Sequence, residues 1–257
     1  MGAILTIQGL TRFFGGLAAV MDLGFEVQSG EILSLIGPNG AGKTTVFNLI
    51  TGTLLPTRGK VFFQDHEITG SRPYETTALG VARTFQTTSL FYDETVVDNL
   101  IVSYRCRARM GFWDALFQTG RSRQDERRCR QKAEEILEFI GLRERASELA
   151  RNIPQESQKR LAIALALATE PKLMLLDEPT GGLTEEENIS MMALIQKVRT
   201  RGISILLIEH KMKIVMNISD RIVVLNYGQK IAEGPPQEVG RNSAVIEAYL
   251  GAGYAET

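Results

Sequence analysis

The sequence predicts an α/β fold in which parallel strands lie between helices and carry a phosphate-binding loop. Three observations predict it. Residues 32–36, 173–176 and 203–208 are strand-length runs dominated by apolar side chains, the pattern of strands covered on both faces. The first run leads straight into Gly37, Pro38, Asn39, Gly40, Ala41, Gly42, Lys43 and Thr44, which spell GPNGAGKT ahead of a helical stretch. A block with helical character occupies about 92 to 168 and interrupts the alternation of strands and helices.

The elements follow in order. Residues 4–10 and 23–27 read as short strands, with a turn at Ser29 and Gly30. After strand 32–36 and its glycine-rich loop, 44–51 reads as a helix stopped by Gly52. A further strand is expected at 60–63. Residues 95–104 and 133–140 carry apolar side chains at helical spacing, the second closed by Gly141. Residues 161–168 are rich in Leu and Ala, which favours helix. Strands 173–176 and 203–208 flank a helix at 185–199. Residues 221–225 and 229–232 enclose Asn226, Tyr227 and Gly228, a hairpin signal. A short helix is expected at 245–250. No internal repeat or low-complexity tract is present.

Composition narrows the function. Of 257 residues, 44% are hydrophobic, and 29 Lys+Arg nearly cancel 30 Asp+Glu. That excludes a disordered tail and argues against a strongly basic nucleic-acid binder. Cys106 and Cys129 cannot form a disulfide scaffold at this length and fit a reducing compartment. The first residues lack a basic region followed by an apolar stretch, so no targeting signal is expected. The longest apolar run, 161–168, falls well short of the roughly 20 residues a membrane span needs.

The GxxxxGKT loop is the strongest local signal, because it stands between a strand and a helix. Its glycines let backbone N–H groups turn inward around phosphates, and the helix start adds its positive end. Lys43 can reach the β and γ phosphates, and Thr44 can ligate Mg2+. A second element is the apolar run 173–176 ending in Asp177 and Glu178. An acid at that strand end can reach a metal ion held by the loop. Asp177 is expected to hold it, and Glu178 to orient or activate a water molecule.

These residues, with RTFQ at 83–86, LDEPT at 176–180 and EH at 209–210, resemble the ATP-binding subunits of ABC transporters. The finer match includes FGGL at 14–17, GPNGAGKTT at 37–45, ISDRI at 218–222 and VIEAYLG at 245–251. It resembles the LivG-type subunit of high-affinity branched-chain amino acid importers, from about residue 5 to 251. Urea and amide importers have related subunits, so the substrate is left open between them at this point.

The resemblance implies a RecA-like P-loop NTPase core with an N-terminal antiparallel β region and an inserted helical subdomain. The whole chain is then one ABC domain. Residues 1–91 hold the β region and first part of the core, 92–168 the helical subdomain, and 169–257 the rest of the core and a C-terminal helix. It implies that Phe14 lies near the adenine ring and that Thr45 completes the phosphate loop. Gln86 contacts Mg2+ and the water, in a loop that couples to the membrane partner. His210 is the switch histidine at the γ-phosphate. It also implies ATP hydrolysis coupled to transport, with ATP and Mg2+ as cofactors. The implied partners are a LivF-type ATPase, two transmembrane permeases and, indirectly, an extracytoplasmic substrate-binding protein. The implied location is the cytoplasmic face of the inner membrane. A rival is a regulatory module that binds ATP without turning it over, for which Glu178 is the discriminating residue.

The signature loop departs from the family pattern. Ile153, Pro154, Gln155, Glu156 and Ser157 stand where relatives carry Leu-Ser-Gly-Gly-Gln or a near variant. Proline has no N–H to offer a phosphate. Glu156 is expected to carry its charge toward a triphosphate, and Ser157 to cap the helix that starts there. Thr184 and Lys211 stand where relatives often have aspartate, and Leu165 where they often have arginine. An intact phosphate loop beside an altered signature favours a heterodimer over a homodimer. The stretch 105–132 has nine basic residues against Asp114, Asp125 and Glu126, with Phe112, Trp113 and Phe117 at near-helical spacing. It reads as a solvated helix, a partner-docking segment or a lipid contact.

Overall fold

Two sheets organise the chain in its computed structural model, which describes residues 2–84, 90–107 and 120–253. The first is antiparallel: β1 (Ala3–Phe14), β2 (Leu17–Gln28), β4 (Arg58–Phe63) and β5 (His66–Glu67), in the order β2-β1-β4-β5. Strands β1 and β2 run much further than the short segments expected. Their pairing shifts register between Ala3 and Leu5, between Ile7 and Leu10, and again before Arg12 and Phe13. Gly9 and Asp22 take positive φ at these irregularities. Each bulge breaks the two-residue alternation that marks a strand in sequence.

The second sheet contains β3 (Ile32–Ile36), β6 (Val81–Arg83), β7 (Leu173–Asp177), β8 (Ser204–Ile208), β9 (Arg221–Asn226) and β10 (Gln229–Gly234). Its order is β10-β9-β3-β8-β7-β6. All pairs are parallel except β9 with β10, which are joined through Tyr227 and Gly228, both at positive φ, as a tight two-residue hairpin requires. Every residue of β3, β7 and β8 is buried, the reason these strands are apolar on both faces except at Ser34, Asp177 and Ser204.

Alternation sorts side chains onto the two faces of this sheet. Leu33, Leu35, Val223 and Leu225 join a core with Phe47 and with Leu5, Leu10, Leu23 and Phe63 of the first sheet. Ile36, Ile222 and Val224 join a second cluster with Val215, Val239 and Val245. Helices α1 (Lys43–Ile50), α2 (Pro73–Leu79), α3 (Val96–Arg107), α4 (Gly120–Ile140), α5 (Gln155–Ala168), α6 (Glu185–Arg199), α7 (Met212–Ile218), α8 (Pro236–Val239) and α9 (Ser243–Gly253) complete the fold. The short helices α2, α7 and α8 span too few turns to announce themselves by periodicity. Helices α4 and α5 begin well ahead of the apolar segments that signal them. Their first turns (GRSRQDERRCRQK and QESQKR) carry no apolar stripe, and periodicity reports only a packed face.

Residues 1–83 with 172–257 form one compact unit, and residues 84–171 form a second. The second unit holds α3, α4 and α5 around Val96, Leu100, Ala133, Leu137, Ile140, Leu161 and Ala164. Among the described residues no helix is long and apolar enough to cross a membrane. Leu206, fully buried on β8, sits in the core shared by the two sheets. Leu206→Ala is expected to cost about 2–5 kcal/mol, seen in urea denaturation as a lower midpoint at unchanged slope.

Candidate functional site

Strand β3 ends at Ile36, and the chain then winds through the glycine-rich loop into α1. Two of its glycines are fixed by crowding. Gly37 has φ 152°, and a Cβ there would lie 2.1 Å from the Leu225 carbonyl oxygen. Gly42 caps α1 at φ 102°, and its Cβ would lie 2.3 Å from the Ala19 oxygen. The loop is also tied from outside: the Gly228 N–H donates to the Ala41 carbonyl at 3.1 Å, and the Met21 N–H to the Gly228 carbonyl at 2.9 Å. Helix α1 has no acidic residue in its first turn and no side-chain cap, so its positive end is not neutralised locally.

The Lys43 ammonium lies within this loop. Nζ donates to the Gly37 carbonyl at 2.7 Å and the Pro38 carbonyl at 3.0 Å. Burial lowers its pKa, while the charges of Glu178 and Asp177 work in the opposite direction. Both strand-end acids are therefore within electrostatic reach of Lys43. Asn39, Gly40 and Thr44 are exposed, and Thr45 is half-buried.

Asp177 is the last residue of β7 and is buried. Burial raises its pKa. The Arg83 guanidinium, Nη2 to Oδ2 at 2.9 Å, pulls the other way, and neighbouring Glu178 adds to the rise. The Arg83 and Asp177 side chains are only 8% and 1% exposed. Arg83 also donates from Nη1 to Asn48 Oδ1 at 2.6 Å and lies over the Phe47 ring at 5.4 Å. Glu178 follows at φ 49°, a conformation uncommon for a side-chain-bearing residue. Its N–H donates to the Ile208 carbonyl at 3.0 Å.

Strand β8 lies between β3 and β7 and delivers the next groups to the same edge. His210 Nδ1 is 3.8 Å from Glu178 Oε1. Glu209 is wholly buried and accepts from the Thr180 N–H at 3.0 Å and the Thr180 hydroxyl at 2.5 Å. Lys211 Nζ donates to the Thr180 and Leu183 carbonyls at 3.1 and 3.4 Å and to Asn188 Oδ1 at 3.3 Å. Lys211 thus fastens the loop after the acids. Thr184 caps α6, accepting from the Glu187 N–H, while Glu187 accepts from the Thr184 N–H.

The remaining expected residues fall elsewhere. Phe14 ends β1, is 45% exposed and carries the Arg12 guanidinium 4.8 Å above its ring. Gln86 and the aromatic residues Phe112, Trp113 and Phe117 lie outside the described residues. In the second unit, the start of α5 corrects two expectations. Pro154, not Ser157, is the N-cap; Ser157 lies inside the first turn, where it is buried. Glu156 does not project a bare charge: Arg160 Nε donates to its Oε1 at 2.9 Å, and both side chains are mostly buried. Arg160 Nη1 also donates to the Ile140 carbonyl at 2.8 Å.

Sequence reasoning missed what Arg83, Asn48, Glu209 and Lys211 do. Arg83 and Glu209 stand in the quoted motifs, and a charge at the end of an apolar strand is the signal that could have marked both.

Comparison with known proteins places this geometry. The family model described as ABC transporter matches residues 20–181. That described as Branched-chain amino acid ATP-binding cassette transporter matches 229–255. The high-affinity branched-chain amino acid transport ATP-binding protein BraF of Pseudomonas aeruginosa is 43% identical over 249 residues, covering 96% of this chain and 98% of its own. LivG of Escherichia coli, with the same description, gives the same identity and coverage. Among solved structures, an ATP-binding cassette of an ABC transporter in its ADP conformation superposes with a TM-score of 0.85 at 31% identity, covering 98% of this chain and 100% of that one.

The buried Arg83–Asp177 pair gives a direct test. Arg83→Ala leaves Asp177 charged in a dry place and is expected to cost about 3–5 kcal/mol. Arg83→Met combined with Asp177→Leu removes both charges and is expected to recover most of that loss. Urea unfolding of the two variants beside the parent measures the difference.

Proposed function

The chain is a member of the ABC transporter ATP-binding family, in its branched-chain amino acid branch, and from that membership we propose that it binds and hydrolyses ATP to drive import of branched-chain amino acids through a pair of membrane permeases. The observation that carries this reading is the Lys43 ammonium held inside the phosphate loop at the same sheet edge as the strand-end acids Asp177 and Glu178.

The residues suit MgATP. The loop presents an ammonium, an unneutralised helix start and two crowded glycines, a combination matched to a polyphosphate. Among the described residues no group of three or more His, Cys, Asp or Glu could cage a metal ion. Asp177 with the Thr44 hydroxyl instead suits a hard cation that arrives with phosphate oxygens as its other ligands. Bound MgATP supplies the phosphoryl bond to be broken and the metal's charge.

The chain's own groups then divide the work. Lys43, with the loop amides of Gly37, Asn39, Gly40, Ala41 and Gly42, holds the β and γ phosphates. Thr44 and Asp177 hold the metal, joined by Gln86, and Thr45 extends the loop's grip on the phosphates. Phe14, at the free end of β1, stacks on the adenine. Glu178 receives the proton of the attacking water at its carboxylate, and His210, already 3.8 Å from that carboxylate, orients it and meets the γ-phosphate. Glu209 and Lys211 keep the intervening loop rigid.

The start of α5 supports an asymmetric pair. A proline cap offers no N–H, and Glu156 occupies the first turn with Arg160 as its partner. A LivF-type subunit would therefore supply the working signature to this chain's nucleotide, while this chain serves its partner's nucleotide poorly. The pair would sit on two permeases at the cytoplasmic face of the membrane, with an extracytoplasmic binding protein delivering the amino acid.

Three substitutions test this. Lys43→Ala is expected to weaken MgATP binding by more than about tenfold in calorimetric titration. Glu178→Gln should bind MgATP as the parent does yet lose on the order of 100-fold or more in turnover with the partner present. In the assembled pair, disrupting the partner's signature should cost about 100-fold in ATPase rate, whereas Glu156→Gln in this chain should leave the rate nearly unchanged. Equal losses from both signatures would remove the asymmetry.

A further inference from the structure

Phe14 closes β1 opposite Leu17, the first residue of β2. Two positions further along β2, the Ala19 carbonyl blocks any side chain at Gly42 of the phosphate loop, with Val20 beside it. A strand advances about 3.3 Å per residue, so the tip of this hairpin stands next to the loop. The Phe14 ring is 45% exposed there.

Arg12 lies two residues earlier on β1, and its guanidinium carbon sits over the Phe14 ring at 4.8 Å from the centroid. Nη1 donates to the Leu55 carbonyl at 2.9 Å, in the segment that follows α1. The same segment is fastened to β1 by the Thr57 N–H, which donates to the Thr11 carbonyl at 2.8 Å, and by the Thr57 hydroxyl, which accepts from the Phe13 N–H at 3.2 Å. Nε is buried and has no hydrogen-bond partner among the described residues. A donor stranded in this way is costly, and the bond to Leu55 does not require it. What the buried guanidinium secures is its place against the π face of the ring.

We propose that Arg12 is a positioning residue of the base subsite: it covers one face of Phe14, with Leu55 as its anchor, and leaves the other face as the platform on which a purine stacks. This rests on the reading of Phe14 given above. Attraction between the cation and the ring holds Phe14 in one orientation, so less side-chain freedom is lost when the base arrives. Stacking on such a platform uses the π face that every base has. Arg12 therefore acts on the base of the nucleotide and not on its phosphates.

The test compares MgATP with magnesium tripolyphosphate, which shares the phosphates and lacks the base, by calorimetric titration of the full chain. Arg12→Gln keeps an N–H for Leu55 and removes the cation; Arg12→Lys keeps a cation. Arg12→Gln is expected to weaken MgATP binding about three- to tenfold and to leave tripolyphosphate binding as in the parent. Arg12→Lys should recover most of the MgATP affinity. Phe14→Ala should also weaken MgATP alone, and adding Arg12→Gln to it should cost nothing further, because the two act as a unit. Equal losses on both ligands, parent-like MgATP affinity in Arg12→Gln, or the same loss with and without Phe14 overturns the role of Arg12. So does an Arg12→Lys variant as weak as Phe14→Ala. Parent-like MgATP affinity in Phe14→Ala overturns the base reading of Phe14 and this inference with it, while a parent that binds neither ligand overturns the nucleotide site itself.

Discussion

Everything at the site depends on opposite charges held apart at one edge of a parallel sheet. Lys43 stands after β3, and Asp177 and Glu178 stand at the end of β7, with β8 between them. Direct contact between ammonium and carboxylate would cancel both and leave nothing for a ligand. The fold prevents it by giving each charge another occupation. Lys43 donates to two loop carbonyls, and Asp177 is held by Arg83 from the neighbouring strand. Parallel strands make this possible because their carboxyl ends open on one side, where ligands of open α/β sheets collect.

Holding charges in this way requires burying others. Arg83 and Glu209 are the clearest cases, one satisfying Asp177 and Asn48, the other Thr180. Each takes a group that would be costly if stranded and gives it fixed partners. The same side chains link separate segments: Arg83 joins β6, α1 and β7, and Glu209 joins the end of β8 to the loop after the acids. Lys211 adds three further bonds to that loop. An Asp at position 211 could not make them, because it has no donor to offer two carbonyl oxygens.

Much of this was legible in the sequence because it is carried by local rules. The central strands of the parallel sheet are dominated by apolar residues, the hairpin turn has its Tyr-Gly pair, and GPNGAGKT names its own conformation. Helix α6 has the bounds expected from the sequence, 185–199, and in the structure a capping box of Thr184 and Glu187 fixes its start. What stayed hidden was set by contacts distant in sequence. The length of β1 and β2 depends on bulges that break alternation. Helices α4 and α5 begin in polar turns. Arg83 finds Asp177 across 94 positions of chain, and no pattern within either segment announces that meeting. The crowding at Gly37 and Gly42 comes from Leu225 and Ala19, so the motif shows that glycine is used but not what forbids anything larger.

Two helix starts in this chain show what the altered signature means physically. Helix α1 begins with a glycine cap, no side-chain cap and no acid in its first turn; its positive end is not offset locally. Helix α5 begins with a proline cap, and Glu156 brings negative charge into its first turn. An acid there offsets the helix's positive end, and Arg160 fixes the carboxylate through a neighbouring turn. Neither start has a side-chain cap, but the second has its positive end offset by an acid of its own first turn and the first does not. At the start of α1 an anion would meet no carboxylate; at the start of α5 it would meet Glu156, already paired with Arg160. That contrast, with the phosphate loop left as it is, is what supports the asymmetric pair proposed above.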